Sequence, residues 1–288
     1  MGDNRDAWAE NQSGLSQFFR EQPEVVRALD EADNMSLNGA DLACKSALYK
    51  ERGLLREAAE LFRLAWRKCY PADYVREFES HLDFIAKELA GCPGRVVDIA
   101  SGRGMLVERL LCGLNTKVTA TDVSESVLED HLGCRFPGQV KSGQLKLTAC
   151  DAKALPFPDG SVAAVTTCLG LQNIPGPERV IRELRRVCSG KLYALCEFFP
   201  EDDRENQEAA KALGLEGAYS QDRLAELMEG CGWRVSCHEG ARIKLPPTPV
   251  GVVAPGAEFD ALPVVETETR FVTFLSLIHI SEPTRRRG

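Results

Sequence analysis

Three short apolar runs in the middle of the chain each finish on an aspartate, and this repetition restricts the possible architecture more than any other feature. The runs are Val96-Val97-Asp98, Lys117-Val118-Thr119-Ala120-Thr121-Asp122 and Leu145-Lys146-Leu147-Thr148-Ala149-Cys150-Asp151. Short runs of this kind, separated by helix-like stretches, predict βα units and a parallel sheet. Successive units bring their strand ends to one edge, where open α/β sheets bind ligands. The first run continues as Ile99-Ala100-Ser101-Gly102-Arg103-Gly104 and then into the helix-like Met105-Leu106. Lacking Cβ atoms, Gly102 and Gly104 let the backbone bend sharply and let a ligand approach the main chain. A glycine turn at a helix N-terminus ordinarily suits an anion. The carboxylate of Asp98 just before the turn disfavours an anion and favours ammonium or hydroxyl groups. Asp122 follows Asp98 by 24 residues, close to the spacing of about 20 at which a strand-end carboxylate meets ribose hydroxyls.

These residues resemble the motifs of the class I S-adenosylmethionine-dependent methyltransferases, over roughly residues 90 to 245. Val97 to Gly104 is similar to that family's glycine-rich first motif, with Ala100 standing where the first glycine often does. Ala120-Thr121-Asp122-Val123-Ser124 looks like the second motif, which implies that Asp122 holds a ribose and Val123 packs on adenine. Cys150-Asp151-Ala152 is similar to the third, in which the acid meets the adenine amino group. The run Leu155-Pro156-Phe157-Pro158-Asp159-Gly160-Ser161, with the strand-like Val162 to Leu169 after it, resembles the turn and fourth strand of a branch that includes quinone-biosynthesis and small-molecule methyltransferases.

The resemblance implies an α/β fold: a Rossmann-like, doubly wound, mostly parallel seven-stranded sheet with an N-terminal helical cap. It implies S-adenosyl-L-methionine as cofactor, bound by Asp98, Ala100, Ser101, Gly102, Gly104, Asp122, Val123, Asp151, Ala152 and Leu169. The implied activity is methyl transfer to a small-molecule acceptor by in-line displacement. Two alternatives stay open. An NAD(P)-dependent oxidoreductase shares the strand, the glycine turn and the ribose acid, but expects a third glycine where Val107 stands. A non-catalytic Rossmann-like binding module would keep the fold without the chemistry.

A formal charge of −8 argues against nucleic-acid binding, which needs a basic stripe. The cluster Arg182, Arg185 and Arg186 reads as the solvated face of a helix. The eleven cysteines include no Cys-x-x-Cys pair, so metal-ligand spacing is missing and no metal is expected. Cys150, Cys168 and Cys196 lie inside apolar runs, as free thiols do in a reducing cytosol, and the expected location is cytoplasmic. No signal peptide or apolar span of about 20 residues appears, so membrane insertion is not expected. The oligomeric state is left open.

The expected division is a helical cap and lead-in helix over residues 1–90, the cofactor-binding domain over 91–274, and a non-native tail over 275–288. The tail expectation rests on Leu275 to Arg285, which resembles the translation of a sequencing adapter; on that view His279 carries no function. Leu54, Leu55, Ala58, Leu61, Phe62, Ala65 and Trp66 form one helical stripe, read as a cap over the ligand edge. Val75, Phe78, Leu82, Ile85 and Leu89 form another, read as the helix that packs on the sheet before its first strand. Trp66, Tyr70 and Tyr74 are assigned to the core, and the first 30 or so residues are expected to be mobile until a ligand binds. A fifth strand is expected over Lys191 to Phe199 after a helix stopped by Gly190, a sixth over Trp233 to Ile243, and a seventh, antiparallel, over Thr269 to Phe274. Residues 246–263, with five prolines, are expected to form an exposed loop. Glu197 near the end of the fifth strand, and less so His81 and His131, are the candidates for a proton acceptor, and no catalytic residue is assigned. Gln172-Asn173-Ile174-Pro175 lacks the second proline and the aromatic residue that enzymes methylating planar amino groups carry, which excludes that chemistry.

Overall fold

The computed structural model describes residues 15–113, 116–213, 215, 220–257 and 259–278. After a helical stretch over residues 15–21 come α1 (Pro23–Glu31), α2 (Gly39–Glu51), α3 (Leu55–Cys69) and α4 (Ala72–Glu88). Then follow β1 (Val96–Asp98), α5 (Met105–Gly113), β2 (Val118–Asp122), and α6 (Glu125–Leu128), which runs into a π-turn over Glu129–Gly133. Next are α7 (Pro137–Ser142), β3 (Leu145–Ala149), β4 (Val162–Cys168), α8 (Gly170–Asn173) and α9 (Pro177–Val187). The chain closes with β5 (Cys188–Phe198), α10 (Arg204–Ala212), α11 (Gln221–Gly230), β6 (Trp233–Leu245) and β7 (Thr267–Ile278).

The strands form one sheet in the order β3-β2-β1-β4-β5-β7-β6. Pairing is parallel from β3 through β5, and β7 inserts antiparallel between β5 and β6. The order reverses between β1 and β4, which opens a crevice outside their C-terminal ends. The two-residue period of a strand divides the core into two layers. Val96, Tyr193 and Leu195 join Phe78, Leu82 and Ile85 of α4 and Leu106 and Leu110 of α5. Val97, Leu192, Ala194 and Cys196 join Val180, Ile181 and Leu184 of α9 and Leu224 and Met228 of α11. Each fully buried leucine or isoleucine in these layers stabilises the fold by about 2 kcal/mol.

The sheet and its two helical layers meet the expectation, and the ends of several elements differ from it. α9 stops at Val187 rather than at Gly190, because the buried stripe is complete there and Cys188 already pairs with Val162 of β4. β7 extends four residues past Phe274, with Leu277 opposite both Lys191 and Arg234, so its backbone groups find partners on two sides. The strand therefore crosses the boundary drawn at 275. Residues 279–288, including His279, and residues 1–14 lie outside the described residues.

The proline-bearing segment is largely the exposed loop expected, with Val250 and Val252 58% and 77% exposed, but it is tied down as a strap at Ala254. Asp41 of α2 is 1% exposed, and its carboxylate accepts the N–H groups of Val252, Val253 and Ala254 at 3.2, 3.0 and 2.9 Å. Ala254 is fully buried among Phe19, Val25, Leu29, Leu42, Leu48 and Leu61, a third apolar cluster that docks the described part of the first 30 residues. No described helix is long and apolar enough to cross a membrane.

Candidate functional site

The glycine turn is clamped at its base by both neighbours of β1. Ile99 N–H donates to Thr166 O at 2.8 Å and Ser101 N–H to Thr121 O at 2.8 Å. The Ser101 hydroxyl donates to Asp98 O at 3.1 Å and accepts the N–H of Thr121 at 3.2 Å. Ala100, Gly102 and Gly104 then take φ of 51°, 49° and 75°. Left-handed backbone costs a residue with a Cβ about 1–2 kcal/mol, and Ala100 bears that cost. Gly170 leaves room for its methyl group, since a Cβ there would lie 2.9 Å from the Ala100 Cβ.

The two glycines serve different ends. A Cβ on Gly104 would fall 2.2 Å from Leu132 Cδ2, so this glycine allows the turn to lie against the π-turn. A Cβ on Gly102 would meet nothing closer than Ala100 O at 4.0 Å, so here bare main chain faces open space.

Asp122, half-buried at the end of β2, accepts the Gly102 N–H at 3.0 Å on Oδ2 and the Ser124 N–H at 3.1 Å on Oδ1. Val123 beside it is 47% exposed, an apolar side chain held at the rim. Asp151 is exposed past β3, its Oδ1 taking the Lys153 N–H at 2.8 Å, and Ala152 is half-buried beside it. Asp98 is 1% exposed and accepts the Thr166 hydroxyl at 2.6 Å; burial pushes its carboxyl up to about 6. Leu169, at φ 60°, follows β4. All ten candidate residues thus gather at the C-terminal edge of four adjacent strands. Asp98 and Gly104 shape this edge from within, whereas Gly102, Asp122, Val123 and Asp151 present themselves to it.

Beyond Leu169 a cavity of about 220 Å³ opens between the end of β5, the α3–α4 junction and the strap. Tyr70 and Tyr74 stack in its wall with ring centres 4.4 Å apart at 13°. Glu197 faces it, accepting the Tyr74 hydroxyl at 3.0 Å and the Thr269 hydroxyl at 2.8 Å. Gln172 fixes the Glu197 backbone, accepting its N–H at 2.8 Å and donating to its carbonyl. Burial pushes Glu197 up to about 7 and raises the hydroxyls of both tyrosines far above their ordinary range. Asp260, from the strap, accepts the Tyr70 hydroxyl at 3.2 Å.

Trp66 fits its core assignment, its ring 5.1 Å from that of Phe78, but Tyr70 and Tyr74 also wall the cavity. A buried tyrosine needs a partner for its hydroxyl, and two of them four apart around Pro71 are the available signal. The role of Arg103 has no such signal. Its guanidinium stacks 3.4 Å over the Phe62 ring of α3, tying the glycine turn to the cap, and burial pushes it down to about 10. His81 is fully buried between α4 and β7, with Nδ1 2.7 Å from Thr273 Oγ1, and burial pushes it down to about 4. Burial, with Arg103 adding to it, pushes His131 down to about 3. Neither histidine lines the cavity that Glu197 faces.

Residues 97–194 match the sequence profile of a family described as a methyltransferase domain. Among curated proteins, the ubiquinone/menaquinone biosynthesis C-methyltransferase UbiE of Methylobacterium nodulans is 35% identical over 116 residues, which cover 38% of this chain and 44% of that protein. UbiE of Pseudomonas fluorescens is likewise 35% identical over 116 residues, 38% of this chain and 45% of that one. The chain thus spans less than half the length of the curated relatives it matches. Among solved structures, a putative methyltransferase from Bacillus halodurans aligns with a TM-score of 0.54 at 18% identity, over 69% of this chain and 98% of that one. The YcgJ protein of Bacillus subtilis aligns with a TM-score of 0.53 at 13% identity, over the same shares. These likenesses match the observed sheet and its helical layers. Residues 97–194 are thus similar to a methyltransferase domain, and the sheet that carries them is doubly wound.

Proposed function

We propose that the chain transfers the methyl group of S-adenosylmethionine to a small-molecule acceptor by in-line displacement. The reading rests on one coincidence: the methyltransferase match over residues 97–194 contains a glycine turn that opens onto space and is backed by strand-end carboxylates. When bound, the sulfonium supplies the methyl group and a neutral leaving group, so the protein has mainly to align the partners and exclude water. Each Asp122 oxygen takes one backbone N–H and keeps a lone pair for a ribose hydroxyl. Val123 offers an apolar face to adenine, and Asp151 accepts from the adenine amino group with Ala152 alongside. Asp98, Ala100, Ser101 and Gly104 hold the turn in shape, and Gly102 leaves its main chain bare. Leu169 borders both the cofactor edge and the cavity, which is the acceptor site.

The eleven free cysteines suit a reducing, cytoplasmic compartment, and the acidic charge suits a partner other than nucleic acid. No observation favours the oxidoreductase or the inert module. Calorimetric titration with S-adenosylmethionine, S-adenosylhomocysteine and NADH tests the proposal. Heat with the two sulfur compounds alone supports it, and heat with NADH alone, or none at all, contradicts it.

A further inference from the structure

The acceptor cavity has a narrower chemistry than its size requires. Among the described residues that line it, the charged ones are Glu197, Glu201 and Asp260, with no lysine, arginine or histidine. Glu197 is held by the hydroxyls of Tyr74 and Thr269, and Asp260 by the Tyr70 hydroxyl and the Ala261 N–H. Arg103, from the glycine turn, acts on Asp260 electrostatically. A shielded carboxylate without a cationic partner is costly, and burial accordingly raises Glu197 to about 7. Such a group is satisfied by a proton or by a cation. Tyr70 and Tyr74, stacked on one another, line the same cavity and bring only neutral hydroxyls to it.

We propose that the acceptor is an amine that enters this cavity as an ammonium ion, and that Glu197 is the general base that removes its proton. The inference rests on the methyl-donor reading above. The Glu197 carboxylate takes one N–H proton, and the freed lone pair forms the N–CH₃ bond as the S–CH₃ bond breaks. The electron pair of that bond stays on sulfur as a neutral thioether, the neutral amine nitrogen takes on the positive charge the sulfonium loses, and Glu197 returns its proton to water. A phenol giving its proton to Glu197 would become an anion in a cavity that still holds the Glu201 and Asp260 carboxylates, and a carboxylic acid would bring its own charge beside all three; like charges so placed disfavour both. Tyr74, Tyr70 and Asp260 are the titratable groups facing Glu197, and the two tyrosines stay neutral throughout.

The test uses the full chain saturated with S-adenosylhomocysteine, whose own binding heat is recorded first. 2-Phenylethylamine, tryptamine and hexylamine are then titrated beside 2-phenylethanol and phenylacetate, into the wild type and Glu197→Gln. The expected result is an amine bound about tenfold or more tighter than the alcohol, no heat with the acid, and loss of the amine preference in Glu197→Gln with cofactor-product affinity unchanged. With S-adenosylmethionine and that amine, the wild-type rate rises with pH around about 7, and Glu197→Gln lacks this limb. If S-adenosylhomocysteine binds but the alcohol equals every amine, the inference is overturned and the methyl-donor reading stands. An amine preference or a pH limb that survives in Glu197→Gln removes the base assignment. Absence of S-adenosylhomocysteine binding overturns both readings.

Discussion

Replacing Gly102 with alanine separates a ligand-facing glycine from a packed one. At φ 49° the alanine costs about 1–2 kcal/mol of backbone strain, and its Cβ meets nothing within 4.0 Å, so no clash adds to this. In a chain of this size the melting temperature should fall by only a few degrees, at about 2–4 °C per kcal/mol. The new methyl group nevertheless occupies the opening through which main chain and cofactor would approach, and the affinity for S-adenosylhomocysteine should fall about 10- to 100-fold, or about 1.4–2.8 kcal/mol. Gly104→Ala should behave in the opposite way. Its φ of 75° brings the same strain, and its Cβ would lie 2.2 Å from Leu132 Cδ2 and 2.7 Å from Leu132 Cγ, adding about 1–3 kcal/mol of overpacking. Calorimetric melting without ligand and isothermal titration with S-adenosylhomocysteine measure the two effects separately. A Gly102→Ala protein that stays folded and binds within twofold of the wild type would refute the assignment of this turn as the cradle.

Asp122→Ala removes the acceptor for the Gly102 and Ser124 N–H groups and for the ribose; titration should show about 1.5–3 kcal/mol of lost cofactor affinity, and unchanged affinity would contradict its role. Asp41→Ala leaves three strap N–H groups without their acceptor and should cost about 3 kcal/mol in urea unfolding; a shift within experimental error would mean that the strap is not held there. Asp98 has a carboxyl raised from 3.8 to about 6, so the folded chain holds its proton more tightly than the unfolded one. Its stabilising contribution, on the order of 3 kcal/mol, is complete below about pH 4 and lost as the pH rises through about 6. Asp98→Asn should therefore flatten the decline of stability over that window, and an unaltered slope would argue against the burial of this acid.

Elements whose signal is local are legible in the sequence. The runs ending on Asp98, Asp122 and Asp151 are short and apolar between helix-like stretches, as buried parallel strands are, and the stripe of Phe78, Leu82 and Ile85 repeats as a helix does. Contacts between a side chain and distant backbone leave no such trace. Asp41 reaches N–H groups more than 200 residues away, and backbone donors look the same whatever the residue type. The pairing of Tyr74 with Glu197, 123 residues apart, is hidden for the same reason. Gly102 and Gly104 are equivalent letters in the glycine turn, and only their surroundings reveal that one packs on Leu132 while the other faces space.

A crystal structure of the chain with S-adenosylhomocysteine tests the central claim most directly. The account predicts ribose hydroxyls within about 3 Å of the Asp122 carboxylate, adenine against Val123 and Asp151, and the thioether directed past Leu169 towards Glu197. A ligand bound elsewhere, with the Gly102 turn left uncovered, would contradict it.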